Sequence, residues 1–304
     1  MKFEKILFYT RFREMAFNSL EAILALKHAG LKEVVLTHVI PREDVAFVPY
    51  GGYLKEEAER IEETARIRFE EWQKTITENG VASKIRIEVG GINAAIMDIA
   101  DEEKVDLIVT GRKKRTLLEK VYVGSHILDL LRRSTVPILM AKYMVHYEAD
   151  EEEVTRINDH IFVRPLLATD WSEPSQRARD ALSAFKGVAE KALITHVIGA
   201  KISKGLDQEA LTALRVESEK RLEAFCRQIE TDGLEAEPHL AVGRTVAEIL
   251  KMSREHKASM IVMGRTGKDW LEEYWLGGVS HRIAELSEVP VLIIRVRGKL
   301  SSQF

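Results

Sequence analysis

Short apolar runs alternate with longer amphipathic segments along the whole chain. Ile6-Leu7-Phe8-Tyr9 predicts a buried strand. A helical pattern follows from about Phe12 to His28, with Met15, Leu20, Ile23, Leu24 and Leu26 on its apolar side and Gly30 as its stop signal. Glu33 to Ile40 predicts a second strand, Pro41 to Tyr53 a loop insertion, and Glu56 to Asn79 a long charged helix closed by Gly80. Lys84 to Val89 is a third strand, Asn93 to Glu103 a helix, Asp106 to Thr110 a fourth strand, Gly124 to Arg133 a helix, and Pro137 to Ala141 a fifth strand. Strand and helix patterns taking turns in this way predict crossover units, hence a parallel sheet covered by helices.

The same order then recurs. Strands are expected over 163–168, 191–197, 236–241, 259–263 and 290–296, with helices over 173–185, 207–232, 245–256 and 278–287. Thr37-His38-Val39-Ile40 returns verbatim as Thr195-His196-Val197-Ile198. A single shift of 153 residues carries Gly111-Arg112 onto Gly264-Arg265, Gly124 onto Gly277, and Val136-Pro137 onto Val289-Pro290. Anchors in one register indicate a tandem duplication. The expected boundaries are a first domain over 1–143, a linker over 144–160 and a second domain over 161–304. The acidic run Tyr147 to Glu153 is read as solvated linker with room for a short helix. Unpaired sheet edges invite association, so the two halves are expected to pair along their last strands.

Candidate chemistry gathers in the second half. Met260-Ile261-Val262-Met263 is a buried-type strand that ends abruptly in Gly264-Arg265-Thr266-Gly267. The spacer from Lys268 to Leu276 leads to Gly277-Gly278-Val279-Ser280, which opens an amphipathic segment. Glycines let backbone amides approach an anion, and a helix start adds unpaired donors and the positive end of a dipole. The motif is not a P-loop, because its glycines are too closely spaced and Asp269 stands where a magnesium-binding hydroxyl is needed. In a parallel sheet, ligands sit beyond the carboxyl ends of the strands where strand order reverses. The first strand of this half ends Ala168-Thr169-Asp170, which would bring a carboxylate to the same crevice as the glycine turn. Asp170 suits ribose hydroxyls; its structural alternative is to cap the next helix together with Ser172.

These residues resemble the universal stress protein family, in its tandem two-domain form. The resemblance covers essentially the whole chain and rests on a strand ending in Asp170, the pair His196-Val197, and the spacing of Gly264, Gly267, Gly277 and Gly278. It implies an α/β fold of two Rossmann-like, adenine nucleotide alpha hydrolase-like domains, each a five-stranded parallel sheet ordered 3-2-1-4-5. Many members bind ATP without being efficient enzymes. Asp170 would then contact ribose and Val197 the adenine; Gly264, Arg265, Gly267, Gly277 and Gly278 would line the phosphates beside Val279 and Ser280. Gly278 lacks the hydroxyl the family carries at that place, and Ser280 is the residue that would have to compensate. In the first half Arg11 replaces the aspartate and Lys114 the second glycine, so no family-type ATP site is expected there.

Bulk properties narrow the field. The 304 residues carry a formal charge of −3 with 31% charged side chains, a balance that gives no support to a general nucleic-acid binder. The one cysteine, Cys226, lies in a helical pattern and reads as a buried structural thiol. No long apolar stretch predicts a signal sequence or membrane span, so a cytoplasmic location is expected. His38 and His196 close buried strands and are expected to pack there, and no zinc-hydrolase or serine-hydrolase motif is present. Arg112 to Arg115 reads as a solvated basic loop, and Trp270, Tyr274 and Trp275 as either a lid or an interdomain packing group. Two functional readings follow. One is a regulatory module binding ATP, with or without magnesium, and at most a slow ATPase. The other is a nucleotide-independent scaffold acting through dimerisation, as a homodimer or with unidentified proteins; Glu272 and Glu273 near the phosphates favour it.

Overall fold

The computed structural model describes residues 1–12, 15–47, 52–53, 55–114, 125–147, 153–156, 160–265 and 278–295. In the first half, β1 (Lys5–Tyr9), α1 (Ala16–Leu24), β2 (Glu33–Pro41), α2 (Lys55–Glu78), β3 (Ala82–Gly90), α3 (Ile92–Glu102), β4 (Leu107–Lys114), α4 (Ser125–Arg133) and β5 (Ile138–Tyr147) follow in order. The second half repeats them as β6 (Pro165–Thr169), α5 (Glu173–Leu182), β7 (Lys191–Gly199), α6 (Gln208–Thr231), β8 (Glu235–Gly243), α7 (Thr245–Glu255), β9 (Met260–Gly264), α8 (Gly278–Leu286) and β10 (Val291–Ile294).

All ten strands lie in one eleven-stranded sheet, ordered β8-β7-β6-β9-β10-β5-β4-β1-β2-β3, with the eleventh strand, Glu153–Arg156, antiparallel to the far part of β5. Each half is parallel throughout and has the order 3-2-1-4-5. The halves meet where β10 runs antiparallel to β5, with Val291 opposite Met140, Leu292 opposite Leu139 and Ile293 opposite Ile138. The expected edge-to-edge pairing of the last strands is therefore present.

Two apolar layers, one on each side of the sheet, run through both halves. One gathers Phe8, Leu20, Ile23, Phe69 and Ile76 with Leu167, Ala178, Phe185 and Leu222. The other gathers Leu7, Ile96, Ile99 and Leu130 with Leu193, Ile249, Ile283 and Val291. Strands buried on both faces read as continuous apolar runs, which is why Ile6, Leu7 and Phe8 are adjacent and all buried. Gly80 has φ 73° after α2, the left-handed stop that the sequence predicts.

The boundaries differ at the far ends of β4 and β5, which run on past Thr110 and Ala141, and in three further places. The first helix starts only at Ala16, because Phe12 and Met15 have left-handed φ of 51° and 63°; it continues as a 3-10 turn over Ala25–Ala29. The insertion after β2 holds a single helical turn, Arg42–Val45, and a two-residue ladder pairing Ala46–Phe47 with Gly52–Tyr53. The acidic segment forms no short helix in its described part: Glu153–Arg156 is a strand, with Tyr147 opposite Glu153 and His146 opposite Val154. Val154 and Thr155, both β-branched, favour the extended form.

Candidate functional site

β6 and β9 are neighbours in the sheet, with Met263 opposite Ala168 in register. The helices that follow them, α5 and α8, pack on opposite sides of the sheet, so a crevice opens beyond their carboxyl ends. Asp170 follows β6 directly and is exposed. Its Oδ1 accepts the Ser172 amide at 3.1 Å and also the Ser172 hydroxyl. Asp170 thus builds the turn into α5, while Ser172 holds the N-cap position. The outer carboxylate oxygen is not used by this turn.

Gly264 serves packing directly. A Cβ there would lie 2.3 Å from the carbonyl carbon and oxygen of Pro174, so only hydrogen lets the first turn of α5 rest on the end of β9. Arg265 is buried, and its amide donates to the Ile294 carbonyl at 2.8 Å. Its guanidinium crosses to the first half and donates to the Arg132 carbonyl at 2.5 Å. The residue is therefore tied into the sheet and the interface. Gly278 begins α8, is exposed, and has nothing within 4 Å of where a Cβ would be. Val279 is half-buried against the core layer, and Ser280 is fully buried. Gly267 and Gly277 lie outside the described residues, as do Arg115, Gly124, Trp270, Glu272, Glu273, Tyr274 and Trp275.

Val197, near the end of β7, is half-buried and packs against the α7 side. Its neighbour His196 donates a 2.8 Å hydrogen bond from Nδ1 to the Thr169 carbonyl, fastening β7 to the end of β6. Trp171, left-handed at φ 66°, stacks on the His196 ring at 4.6 Å between centroids. The Arg221 guanidinium sits over the indole at 4.8 Å. Burial is the main cause that lowers the His196 pKa, and the hydrogen bond to Thr169 opposes it. The first half repeats the assembly: His38 Nδ1 lies 2.9 Å from the Thr10 carbonyl, Phe12 packs on its ring, and Arg68 covers Phe12. Sequence reasoning passed over Trp171 and Arg221. The signal available was an aromatic two residues after the matching threonines, Thr10 and Thr169, in both copies.

The copies part beyond their fourth strands. β9 stops at Gly264, whereas β4 continues through Lys114, pairing Gly111 with Ala141 and Lys114 with Met144. Where the strand of the second half ends at Gly264, the first half has extended, ladder-bonded backbone. Arg11 stands at the place of Asp170. Away from the crevice, Cys226 is buried and its thiol is pushed up to about 12, mainly by desolvation, which makes it a poor nucleophile.

The Universal stress protein family profile matches residues 2–142 and again 164–295. The chain belongs to the universal stress protein family. Universal stress protein MJ0577 of Methanocaldococcus jannaschii is 30% identical over 154 residues, which cover 46% of this chain and 95% of that protein. A universal stress protein of Mycolicibacterium smegmatis is 24% identical over 284 residues, covering 90% of this chain and 91% of its own length. The crystal structure of a universal stress protein from Archaeoglobus fulgidus superposes with a TM-score of 0.73 at 23% identity, covering 98% of this chain and all of that one, and shows the same fold. No helix among the described residues is long and apolar enough to cross a membrane.

Proposed function

We propose that the second universal stress domain binds ATP, with magnesium, as a regulatory ligand, and that the first domain acts as its structural partner. The observation that carries this reading is the contrast between copies at the strand-order reversal. Beyond β6 and β9 the chain offers an exposed carboxylate, a glycine-ended strand and the open N-terminus of α8. Beyond β1 and β4 it offers Arg11 and continued strand. Asp170 would hold the ribose hydroxyls and Val197 would flank the adenine. Gly278 and Val279 would present first-turn amides of α8 to the phosphates, helped by the positive end of the helix dipole. Gly264 would shape the floor, Gly267 and Gly277 would complete the loop, and Arg265 would brace the site from below rather than touch the ligand. Among the described residues no general base is poised over the crevice, since His196 is held by Thr169 and covered by Trp171, so hydrolysis would be slow at most.

The test is thermal stability of the wild type and of Asp170→Ala with and without saturating Mg-ATP, after checking a denatured extract for co-purified nucleotide. Ligand at a hundredfold excess over its dissociation constant adds roughly 2.7 kcal/mol, a clear rise in midpoint. A rise in the wild type that Asp170→Ala removes is the expected result. No rise, with no resident nucleotide, would leave the second reading in front. That reading is a nucleotide-independent scaffold, favoured by the commitment of Arg265 to the interdomain contact and by the burial of Ser280.

A further inference from the structure

A second cluster lies at the other end of the sheet. Glu237 and His239 sit two residues apart in the first part of β8, so they project from one face of the strand. That face is covered by α7, and His256 is the residue that closes α7. One ligand atom from each of Glu237, His239 and His256 lies within 4.8 Å of the others. Glu237 Oε1 is 3.1 Å from His239 Nε2, and the His239 and His256 rings are 4.0 Å apart between centroids. The His239 side chain is only 11% exposed, yet its buried Nε2 makes no hydrogen bond of proper geometry.

The duplication supplies an internal comparison. The shift of 153 residues carries Lys84, Arg86 and Glu103 onto Glu237, His239 and His256. In the first copy, Glu103 is buried and is bound by Lys84, by Arg86 at 2.9 Å and by Lys5 at 3.0 Å. An anion there is thus met by cationic side chains. In the second copy both cations on the strand have become metal-ligating groups, and the central carboxylate has become an imidazole. Lys191 and Arg164 remain close by: Lys191 engages Glu235 at 2.7 Å and Glu237 Oε2 at 3.3 Å, which leaves Glu237 Oε1 directed at His239. The backbone holds the ligands firmly. Pro238 fixes the strand between Glu237 and His239, and the His256 amide is bonded to the Met252 carbonyl at 3.0 Å.

We infer that Glu237, His239 and His256 form a binding site for a divalent transition-metal ion of the zinc class. Two imidazoles and one carboxylate are a borderline-soft donor set that suits zinc, cobalt or nickel and disfavours magnesium or calcium. Metal–ligand bonds of about 2.0–2.2 Å are reached by small side-chain rotations from the observed separations. Three protein ligands would leave a coordination position for water. The site faces away from the strand carboxyl ends, so it is separate from the proposed nucleotide crevice and does not depend on it.

The experiment uses the full chain, without a histidine tag and after chelator treatment, in nucleotide-free buffer. Zinc is titrated by calorimetry, and cobalt by its visible absorption, for wild type, His239→Gln and His256→Gln. The expected result is one zinc per chain, a cobalt spectrum of nitrogen and oxygen ligation that zinc displaces, and affinity at least about tenfold weaker in each variant. Circular dichroism of the metal-free variants checks their folding, and His256→Gln, at a helix end, serves if His239→Gln fails to fold. Absence of zinc binding by the wild type, or binding undiminished in a folded variant, would overturn the inference.

Discussion

Gly264 and Gly111 hold the same place in the two copies and meet opposite surroundings. At Gly264 an added methyl group would strike the Pro174 backbone at 2.3 Å, whereas at Gly111 nothing lies within 4 Å. Gly264→Ala is therefore expected to lower stability by roughly 1–3 kcal/mol as α5 is pushed off the sheet. Gly111→Ala should stay within about 0.5 kcal/mol of wild type. Urea midpoints of the two variants read this directly, and equal effects would show that α5 yields without cost. Since Asp170 and Ser172 form the turn into α5, Gly264→Ala should also weaken the Mg-ATP response, measured as a smaller midpoint rise at the same ligand concentration.

Among elements, the edge where β3 meets α3 is the most charge-dependent. The Lys84 hydrogen bond is the largest cause holding Glu103 down to about 2, with Lys5 and Arg86 adding to it against desolvation. The folded-state pKa lies below the ordinary value of 4.5, so the carboxylate stabilises the fold fully above that value. The contribution fades as pH falls from about 4.5 towards about 2. Glu103→Gln should flatten the acid limb of the stability curve in this window and cost on the order of 2 kcal/mol at neutral pH. An acid limb unchanged by the substitution would mean that the cluster is already screened by water. Elements of this kind were legible in the sequence because apolar period and helix stops are local signals: β6 to β10 and α5 to α8 lie within a few residues of their expected places. The continuation of β5 through Tyr143, Met144 and Val145 was passed over although those residues favour strands. The continuation of β4 through Gly111-Arg112-Lys113-Lys114 was not legible, since that polar segment carries no apolar pattern and is held extended by pairing with β5. The same limit applied to Arg265. A sequence places it beside glycines, but only the assembled sheet shows its guanidinium reaching Arg132 in the other half.

At the scale of the whole molecule, the two halves form one body. The apolar layers cross the boundary, and cations close it in a reciprocal pattern. Lys142 donates to the Ala284 and Ser287 carbonyls at the end of α8, both at 2.8 Å. Its counterpart Arg295 donates to the Arg133 and Ser134 carbonyls at the end of α4, at 2.9 and 2.6 Å. Positive groups at helix C-termini also meet the negative end of the dipole. Calorimetry should accordingly show one cooperative unfolding transition for the full chain. Lys142→Met, which deprives two carbonyls of a donor, should cost about 1–3 kcal/mol per carbonyl left unpaired or split the transition in two. Two transitions in the wild type would mean that the halves are coupled only loosely.

The antiparallel seam between β5 and β10 has one more consequence. In an assembly of two identical chains every substitution is made twice, at symmetry-related places, so a change that helps one side must be tolerated on the other. Here the two sides are written separately in one chain. Arg11 can differ from Asp170, and Lys84 with Arg86 can differ from Glu237 with His239, while the seam keeps both copies in register. One copy is thereby free to specialise, because its twin preserves the shape that both need.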